Sequence, residues 1–462
     1  MIGGGFQRGS LTLVAGRPGT GKTVFASQFL HHGAAQHDES GIYVSFAEGR
    51  ETYYKNMHGL GFDFKRLEKE GRFRFLDMVT VKEEGVAPIL EMVLREIQAL
   101  KAKRLVIDSF SAMSQAFKER IEARVVLHLI LNRMVRQEGC TTLLIVEIPM
   151  GEERVGLGIE EFVADAVLIL RRRRFDERDL REIEIAKLRG TELRQSRYIF
   201  TLHSDGRGVS IFPPFHAKQI EKPRIFQPIQ DSETHFSTGN PELDKILGGG
   251  YRRGSYVLLD VGESVPYAAY RMLIRPTVLN FLANGRGVTY FPSAGVNPEE
   301  IREELSRSID ENTVNRLCIF YVKKNLNINR SKLYFVEYEG KSLDEDGAIR
   351  DMARRKLEEA TGKPVLGVWG LDDYEATYGS QVGVIWSRYV AESALLGRLN
   401  LSVCKPAVKN PQTFKDLSTY HFKLRLIDGA VVVYLAKPAS SAYCLEDDTS
   451  KGYHLARFTP MT

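Results

Sequence analysis

The sequence predicts an α/β protein of two tandem domains, each a mostly parallel twisted sheet flanked by helices. Short apolar runs alternate with longer segments of helical periodicity, a pattern typical of parallel sheets covered by helices on both faces. The glycine-rich segment at residues 2–11 returns once, at residues 247–256. The chain has 462 residues, more than a single hydrophobic core usually spans. Two domains of similar fold account for both observations.

Between the two copies the chain changes in character. Pro213, Pro214 and Pro223 lie there among polar residues, which lowers the propensity for regular structure. We predict a first domain over residues 1–215, a linker over 216–236 and a second domain over 237–462.

The strands of the first half are predicted from short apolar runs. They are expected at residues 11–15, 41–46, 104–107, 142–146, 166–170 and 183–186. Helical spacing covers residues 24–31 and 88–100, and Pro88 suits a first helical position. Ligands of such sheets bind at the carboxyl ends of the strands, so functional residues are expected there.

Composition and charge exclude several classes of protein. No apolar run approaches the roughly 20 residues that cross a bilayer, and the first residues lack a secretory signal, so we expect a cytoplasmic protein with no membrane contact. The four cysteines lie far apart in sequence with no CxxC pair, which argues against a zinc knuckle and against a disulfide framework. The net charge of +5 does not indicate a nucleic-acid-binding surface, although DNA or RNA stays open as a partner.

The strongest motif follows the first predicted strand and opens a helix. It fits the pattern GxxxxGK[ST] and comprises Gly16, Arg17, Pro18, Gly19, Thr20, Gly21, Lys22 and Thr23. The glycines let successive N–H groups point at phosphate oxygens, and the start of the helix favours negative charge. Lys22 is expected to bind the β- and γ-phosphates and to assist catalysis, while the Thr23 hydroxyl binds Mg²⁺. The alternative is a glycine-rich turn without a ligand.

Acids at strand ends complete the predicted site. Asp108 follows the apolar strand at 104–107 and is the candidate Mg²⁺-side carboxylate, with capping of the next turn as the alternative. Glu48 follows the predicted strand at 41–46 and is the candidate base that orients water opposite the γ-phosphate. A solvated loop acid is the alternative for Glu48. Glu147 ends a further strand and is either a γ-phosphate sensor or a structural residue.

Further motifs resemble the KaiC-type group of RecA-like P-loop ATPases, which includes clock proteins and archaeal recombinases. The resemblance runs from residue 2 to about residue 214 and rests on residues 3–9, 46–48, 55–56, 160–165 and 187–191. It implies a RecA-like fold and an ATPase that uses ATP and Mg²⁺. Archaeal gas-vesicle regulators of the GvpD type carry the same P-loop and are a close alternative.

The resemblance also implies a role between subunits for the segment Lys-Leu-Arg-Gly. In similar ATPases, ATP lies between neighbouring subunits of a ring, usually a hexamer, and this Lys and Arg reach the phosphates of the adjacent subunit. The residues here are Lys187 and Arg189. A cation delivered in trans would neutralise the charge that develops on the transferred phosphoryl group. A solvated cation pair at a strand end is the alternative.

Two departures from the group's pattern bear on activity and on the first domain. The group's pair of adjacent acids is reduced here to Ala47-Glu48, so we expect slow hydrolysis. The group's lead-in, Ser/Thr-Gly-x-x-x-Leu-Asp, precedes the second copy at residues 237–244 but does not precede the first. We expect either a true start upstream of Met1 or a first domain without its lead-in helix.

The second half is predicted to keep the fold and lose the site. The P-loop positions are taken by Val261, Gly262, Glu263, Ser264, Val265, Pro266, Tyr267 and Ala268. No lysine remains, Pro266 brings no N–H, and Glu263 would repel a polyphosphate. Ser293 or its neighbour corresponds to the candidate base, and residues 368–370 carry no acid in register with Asp108. We expect a degenerate RecA-like domain that serves assembly or partner binding.

These observations predict Mg²⁺-dependent ATP binding and hydrolysis by the first domain of a regulatory or signalling assembly. A DNA-binding recombinase or helicase is one alternative, although the segment at residues 147–161 is acidic on balance. An ATP-dependent scaffold or transcriptional regulator without significant turnover is the other. The run of arginines at residues 171–174 is expected to form a self-paired hairpin, with nucleic acid or an acidic partner as the alternative.

Overall fold

The structure, a computed structural model, describes residues 2–78, 86–114, 120–149, 151, 163–203, 207–324 and 334–461. The chain divides into a first unit that ends at Pro213 and a second unit over Pro214–Pro460. Each unit is a mostly parallel α/β sheet flanked by helices, which confirms the predicted fold class. No helix of the described ranges combines the length and the apolar character needed to cross a membrane.

The strands and helices of the first unit alternate through its parallel part. The strands are β1 (Leu11–Gly16), β2 (Gly41–Ser45), β3 (Phe73–Asp77), β4 (Arg104–Asp108), β5 (Thr141–Glu147), β6 (Ala166–Phe175), β7 (Arg178–Leu188), β8 (Arg197–His203) and β9 (Gly208–Ile211). The helices are α1 (Lys22–Gln36), α2 (Arg50–Gly59), α3 (Phe64–Lys69), α4 (Val86–Leu100), α5 (Phe110–Ser114) and α6 (Arg120–Leu129), the last continued by a π-helical segment (Ile130–Gln137).

The order of the strands brings the predicted site residues to one edge of this sheet. The order is β3-β2-β4-β5-β1-β6-β7-β8-β9, parallel from β3 to β6 and antiparallel from there to β9. Strand β1 is buried along its whole length between β5 and β6. In register, Gly16 lies beside Glu147 and Ser45 lies beside Asp108. The carboxyl ends of β1, β2, β4 and β5 therefore meet at one edge, where ligands of such sheets bind.

The second unit repeats this topology. Its strands are β10 (His235–Phe236), β11 (Tyr251–Arg252), β12 (Tyr256–Val261), β13 (Val288–Phe291), β14 (Cys318–Lys323), β15 (Phe335–Tyr338), β16 (Leu366–Gly370), β17 (Leu399–Cys404), β18 (Tyr420–Ile427), β19 (Ala430–Lys437), β20 (Tyr443–Asp448) and β21 (Leu455–Pro460). Its helices are α7 (Pro241–Leu247), α8 (Tyr267–Ala283), α9 (Pro298–Ser306), α10 (Glu311–Leu317), α11 (Leu343–Thr361), α12 (Leu371–Tyr378), α13 (Val382–Leu395) and α14 (Pro411–Leu417).

The main sheet of the second unit runs β15-β14-β13-β16-β17-β12-β18-β19-β20-β21. Apart from the additional edge strand β15, each strand takes the place of one strand in the first unit, with β12 in the central position of β1. The duplicated glycine-rich segment therefore stands before the same central strand in both units. Strand register then gives a residue-by-residue correspondence between the two sites.

The lead-in segment that precedes the second copy forms a compact turn. The Asp244 carboxylate accepts hydrogen bonds from the backbone N–H and the hydroxyl of Thr238, both at 2.7 Å, and from the Ser237 hydroxyl at 2.5 Å. The Asn240 side chain accepts from the backbone N–H of Glu242 at the start of α7. Asp244, the acid of the lead-in motif, thus stabilises the turn at the start of this domain.

Candidate nucleotide-binding site

The loop between β1 and α1 has the backbone of a phosphate cradle. Gly19 and Gly21 have φ values of +77° and +103°, a region that glycine adopts without strain. A Cβ on Gly16 would lie 2.6 Å from the Leu170 carbonyl oxygen, so only glycine fits where β1 meets β6. Helix α1 begins at Lys22, two residues before the predicted start, and its first turn holds no acidic residue. The partial positive charge of the helix start is therefore available to an anion.

Lys22 is buried beneath this loop. Its Nζ donates hydrogen bonds to the carbonyl oxygens of Gly16, at 2.8 Å, and Arg17, at 3.0 Å. Burial lowers the pKa of the ammonium group, and the charges of Glu147 and Asp108 oppose that shift. The cation is thus held at the base of the cradle by groups that a phosphate oxygen can replace.

Thr23 and Asp108 meet beside the loop although 85 residues separate them in sequence. The Thr23 hydroxyl donates to the Asp108 carboxylate at 2.9 Å, and the buried Tyr43 hydroxyl donates to the same oxygen. Burial, together with the nearby Asp108 charge, raises the pKa of Tyr43, so this hydroxyl keeps its proton. A hydroxyl and a carboxylate are the oxygen donors that Mg²⁺ prefers, so these residues fit the metal that the motif implies.

Glu48 lies just beyond the end of β2. The Ser45 hydroxyl donates to the Glu48 carbonyl at 2.6 Å and accepts from the Glu48 N–H at 3.0 Å, which fixes the backbone. The Asn56 amide on α2 donates to the Glu48 carboxylate at 2.7 Å. Partial burial raises the pKa of Glu48, the Asn56 hydrogen bond lowers it, and the charge of Asp108 raises it further. A carboxylate with a raised pKa near a phosphate cradle suits a proton acceptor.

Glu147 ends β5 directly beside the cradle. Its side chain is exposed, and its backbone N–H donates to the Ser111 hydroxyl at 2.8 Å. The position fits either of the two roles that the sequence allows, because the carboxylate is close enough to influence the pKa of Lys22.

Lys187 and Arg189 lie back along the strands from the cradle of their own chain, and Arg189 lies farther from it than Lys187. Lys187 pairs with Val167 near the start of β6, whereas Gly16 pairs with Leu170. The Arg189 guanidinium lies 3.6 Å from the Asp165 carboxylate. Asp165 in turn accepts from the backbone N–H of Leu11, at the other end of β1 from Gly16. Since β1 spans six residues, Arg189 is separated from its own cradle by about 17 Å of strand.

The arginine-rich hairpin reaches the cradle, which the sequence did not predict. Arg171, Arg172 and Arg173 form ion pairs with Glu184, Asp179 and Glu182 of β7, as expected for a self-paired hairpin. Arg181, however, donates to the Gly19 carbonyl oxygen at 3.0 Å. No sequence signal singled out Arg181, because this contact joins residues 162 positions apart and depends on the register of β6 and β7.

At the corresponding edge of the second unit, other residues stand at the positions of Gly21 and Asp108. Pro266 caps α8 at the place of Gly21, and Gly370 stands at the place of Asp108. A Cβ on Gly370 would lie 2.3 Å from the Ser293 Cα and 2.4 Å from its backbone nitrogen. The backbone at Ser293 thus occupies the space that an acidic side chain would need.

Strand register corrects one correspondence drawn from the sequence. Gly41 pairs with Arg104 as Val288 pairs with Leu366, so Glu48 corresponds to Gly295 rather than to Ser293 or its neighbour. The sequence offset misplaced the residue because the segment from β1 to β2 is two residues shorter than the segment from β12 to β13. The conclusion that no acid stands there is unchanged.

A partly buried charge cluster lies near the end of β12, on the face of the sheet away from α8. Asp260, in β12, lies 3.1 Å from Lys415, 3.1 Å from Arg425 and 3.4 Å from His421. Burial acts to raise the pKa of Asp260, but the hydrogen bond from His421 and the charges of Arg425 and Lys415 outweigh it and lower the pKa. These cations are thus compensated by a carboxylate of the protein itself.

Two sequence features fall partly or wholly outside the described residues. The motif at residues 160–165 is described only from Val163 onward, and the acidic segment at 147–161 only in part.

Comparison with known proteins finds a match to a family model in each half of the chain. Residues 1–215 match the family model of the KaiC ATPase, and residues 225–333 match the model of GvpD basic region 2. The circadian clock oscillator protein KaiC of Synechococcus elongatus is 29% identical over 81% of this chain and 73% of its own length. The circadian clock protein KaiC3 of Synechocystis is 30% identical over 66% of this chain and 58% of its own length, so the chain spans little more than half of that relative.

Among solved structures, a KaiC-like protein from the hyperthermophilic archaeon Pyrococcus horikoshii is similar over 46% of this chain and 93% of its own. The two share 35% sequence identity with a TM-score of 0.41.

Proposed function

Because residues 1–215 belong to the KaiC ATPase family, as their motifs predict, we propose that the first unit binds ATP with Mg²⁺ and hydrolyses it slowly. The second unit, in this proposal, keeps the fold for assembly or partner binding and turns over no nucleotide. The observation that carries the proposal is the contrast between two corresponding edges. At the edge of the first unit, Lys22, Thr23 and Asp108 lie together around the glycine-rich loop. At the corresponding edge of the second unit, the backbone beside Gly370 leaves no space for an acidic side chain.

In the first unit each side chain has a task that its contacts support. Lys22 exchanges the loop carbonyls for phosphate oxygens, and the backbone N–H groups at the start of α1 bind the same anion. Thr23 and Asp108 would hold Mg²⁺, which neutralises phosphate charge when bound. Tyr43 keeps the Asp108 carboxylate in place through its hydroxyl proton.

Glu48 is the proposed base. Its backbone is fixed by Ser45 and its carboxylate is oriented by the Asn56 amide. The carboxylate accepts a proton from the attacking water while the phosphates are held in the cradle. The slow rate follows from the single acid, since the residue before it is Ala47.

We also propose that Lys187 and Arg189 act on the site of a neighbouring subunit in a ring of identical chains. The distance along β1 supports this, because it separates Arg189 from the cradle of its own chain. In a ring, the same surface meets the next subunit's cradle, and hydrolysis is then coupled to assembly.

The experiment that tests hydrolysis compares phosphate release by the wild-type chain and by Glu48→Gln. We expect the variant to bind ATP as the wild type does and to release phosphate at least about 100-fold more slowly. Lys22→Ala, the matched control, should lose both binding and release. Equal release by Glu48→Gln and wild type would exclude Glu48 as the base.

A second candidate function is an ATP-dependent scaffold or regulator without significant turnover, which the match of residues 225–333 to GvpD basic region 2 favours. The same experiment separates the two functions. A scaffold would bind ATP with wild-type and Glu48→Gln chains alike and release no phosphate from either.

A further inference from the structure

The second unit contains a cavity of about 280 Å³ on the face of the sheet opposite α8. It lies among α11, α12, α13 and the strands beneath them. Its aromatic lining is Tyr321, Trp369, Tyr374, Trp386 and Tyr389. These rings belong to the core on one face of the sheet, whereas α8, the helix after the P-loop counterpart, packs on the other face. The cavity is therefore no remnant of the nucleotide site, and its volume is near the lower end for small-molecule pockets.

One wall of the cavity carries a buried guanidinium without a carboxylate partner. Arg350 is 4% exposed and donates to the hydroxyls of Tyr378, at 2.9 Å, and Tyr374, at 3.2 Å. Its charge lies 5.3 Å from the centre of each of these rings. Within the described part of the chain, no carboxylate oxygen lies within 4.0 Å of it. A cation buried among neutral groups attracts an anion strongly, since little water screens it.

The buried carboxylate of Asp346 does not fill that role. It accepts hydrogen bonds from the backbone N–H groups of Glu339 and Gly340, and from the Tyr378 hydroxyl at 3.0 Å. Asp346 is therefore linked to Arg350 only through Tyr378, and its own acceptor atoms are engaged elsewhere.

A second arginine of α11 that lines the cavity has an unpaired buried donor. Arg354 is 4% exposed, and its Nη2 donates to Asp351 at 2.6 Å. Its buried Nε has no hydrogen-bond partner among the described residues. The guanidinium also lies 5.0 Å from the ring centre of Tyr389. An unpaired buried donor costs free energy, and a bound acceptor would remove that cost.

The acids of the cavity lie at its mouth, in contact with water. Asp344 and Glu392 are exposed, and Asp351 is partly exposed, whereas both arginines are buried. The interior thus combines flat aromatic walls with two buried positive charges, while the rim carries these three acids and the exposed Arg388. Aromatic walls select a planar ring, and guanidinium groups select a carboxylate or phosphate.

We propose that the second unit binds a small planar aromatic anion in this cavity, with the ring among the tryptophans and tyrosines and the anionic group on Arg350 and Arg354. This gives the non-catalytic unit a ligand of its own, independent of ATP.

Tryptophan fluorescence of the full-length chain tests the proposal, because the sequence contains two tryptophans and both line the cavity. The probes are benzoate, phenyl phosphate and adenosine 5′-monophosphate, with neutral benzamide as the matched control. We expect saturable quenching by at least one anion and none by benzamide at the same millimolar concentration. The benzoate and phosphate arms show which anionic group the cavity prefers.

Variants then locate the bound anion. Arg354→Gln should weaken binding by about tenfold or more, whereas Arg355→Gln, an exposed neighbour on the same helix, should leave it unchanged. A thermal melt checks that both variants fold. Should Arg354→Gln fail that check, the comparison of anions with benzamide on the wild-type chain decides alone. No saturable quenching by any anion, equal quenching by benzamide, or equal losses in both variants would overturn the proposal.

Discussion

At the scale of single residues, the environment of Glu48 decides how the first unit would respond to pH. Partial burial and the charge of Asp108 both raise its pKa, and the Asn56 hydrogen bond counteracts them. A general base works only when deprotonated, so activity should fall as pH drops through a pKa above that of an ordinary glutamate.

Asn56→Ala should move the acid limb of phosphate release to higher pH. The variant removes the donor that stabilises the charged carboxylate, so the pKa of Glu48 rises further. The pH profile of release under saturating ATP measures the shift. Thr52→Ala, an exposed change on the same helix, should keep the wild-type profile. If the acid limb of the pH profile of Asn56→Ala stayed in place or moved to lower pH, that result would contradict Glu48 as the general base.

Single residues also show where prediction from sequence ends. Lys22, Thr23 and Asp108 could be named because a local motif and a strand end announce them. Tyr43 and Arg181 could not be named, because their contacts with Asp108 and Gly19 arise from strand register. An isolated tyrosine or arginine in a strand carries no local signal of such a contact.

At the scale of elements, the central strands of the parallel part of the sheet were predictable, whereas its edge strand and most of the antiparallel part were not. Continuous apolar runs marked β1, β2, β4 and β5 to within one or two residues, because both faces of these strands are buried. Strand β3 alternates between buried and exposed residues and was missed. Strands β8 and β9 were missed too; both belong to the antiparallel part, in which the sequence marked only residues 183–186 of β7 as a separate strand.

Gly370, at the end of β16, should be the position in the second unit's counterpart of the nucleotide site where a substitution lowers stability most. Gly370→Ala places a Cβ against the backbone of Ser293 and should lower the free energy of unfolding by about 3 kcal/mol. Urea unfolding followed by tryptophan fluorescence measures this, because both tryptophans lie in the second unit. Gly383→Ala, in helix α13 with only ordinary contacts, is the matched control and should be neutral or slightly stabilising. A neutral Gly370→Ala would show that the site retains space for an acid.

At the scale of the whole molecule, the two units share one topology and differ in the chemistry at one edge. The repeated glycine-rich segment was enough to predict the duplication, because it precedes the central strand in both units. The domain limits at residues 1–215, 216–236 and 237–462 stay predictions. The cavity among α11, α12 and α13 could not be foreseen, since its walls come from separate helices and strands.

Mixing two inactive variants tests whether Arg189 acts on a neighbouring chain. Glu48→Gln lacks the base, and Arg189→Ala lacks the proposed trans cation. In a mixed ring, some subunit contacts place the intact cradle of an Arg189→Ala chain beside the intact Arg189 of a Glu48→Gln chain. Phosphate release should recover to at most roughly one quarter of the wild-type rate. A mixture of Glu48→Gln with Lys22→Ala should recover nothing, because both changes lie in the same cradle. Absence of recovery in the first mixture would place Arg189 outside the catalytic site.

The number of ATP molecules that one chain binds, measured by titration calorimetry in the presence of Mg²⁺, tests whether the first unit alone binds nucleotide. We predict one site per chain, lost in Lys22→Ala and unchanged in Tyr267→Ala, which alters the corresponding position of the second unit. Two sites per chain, or binding that survives Lys22→Ala, would contradict it.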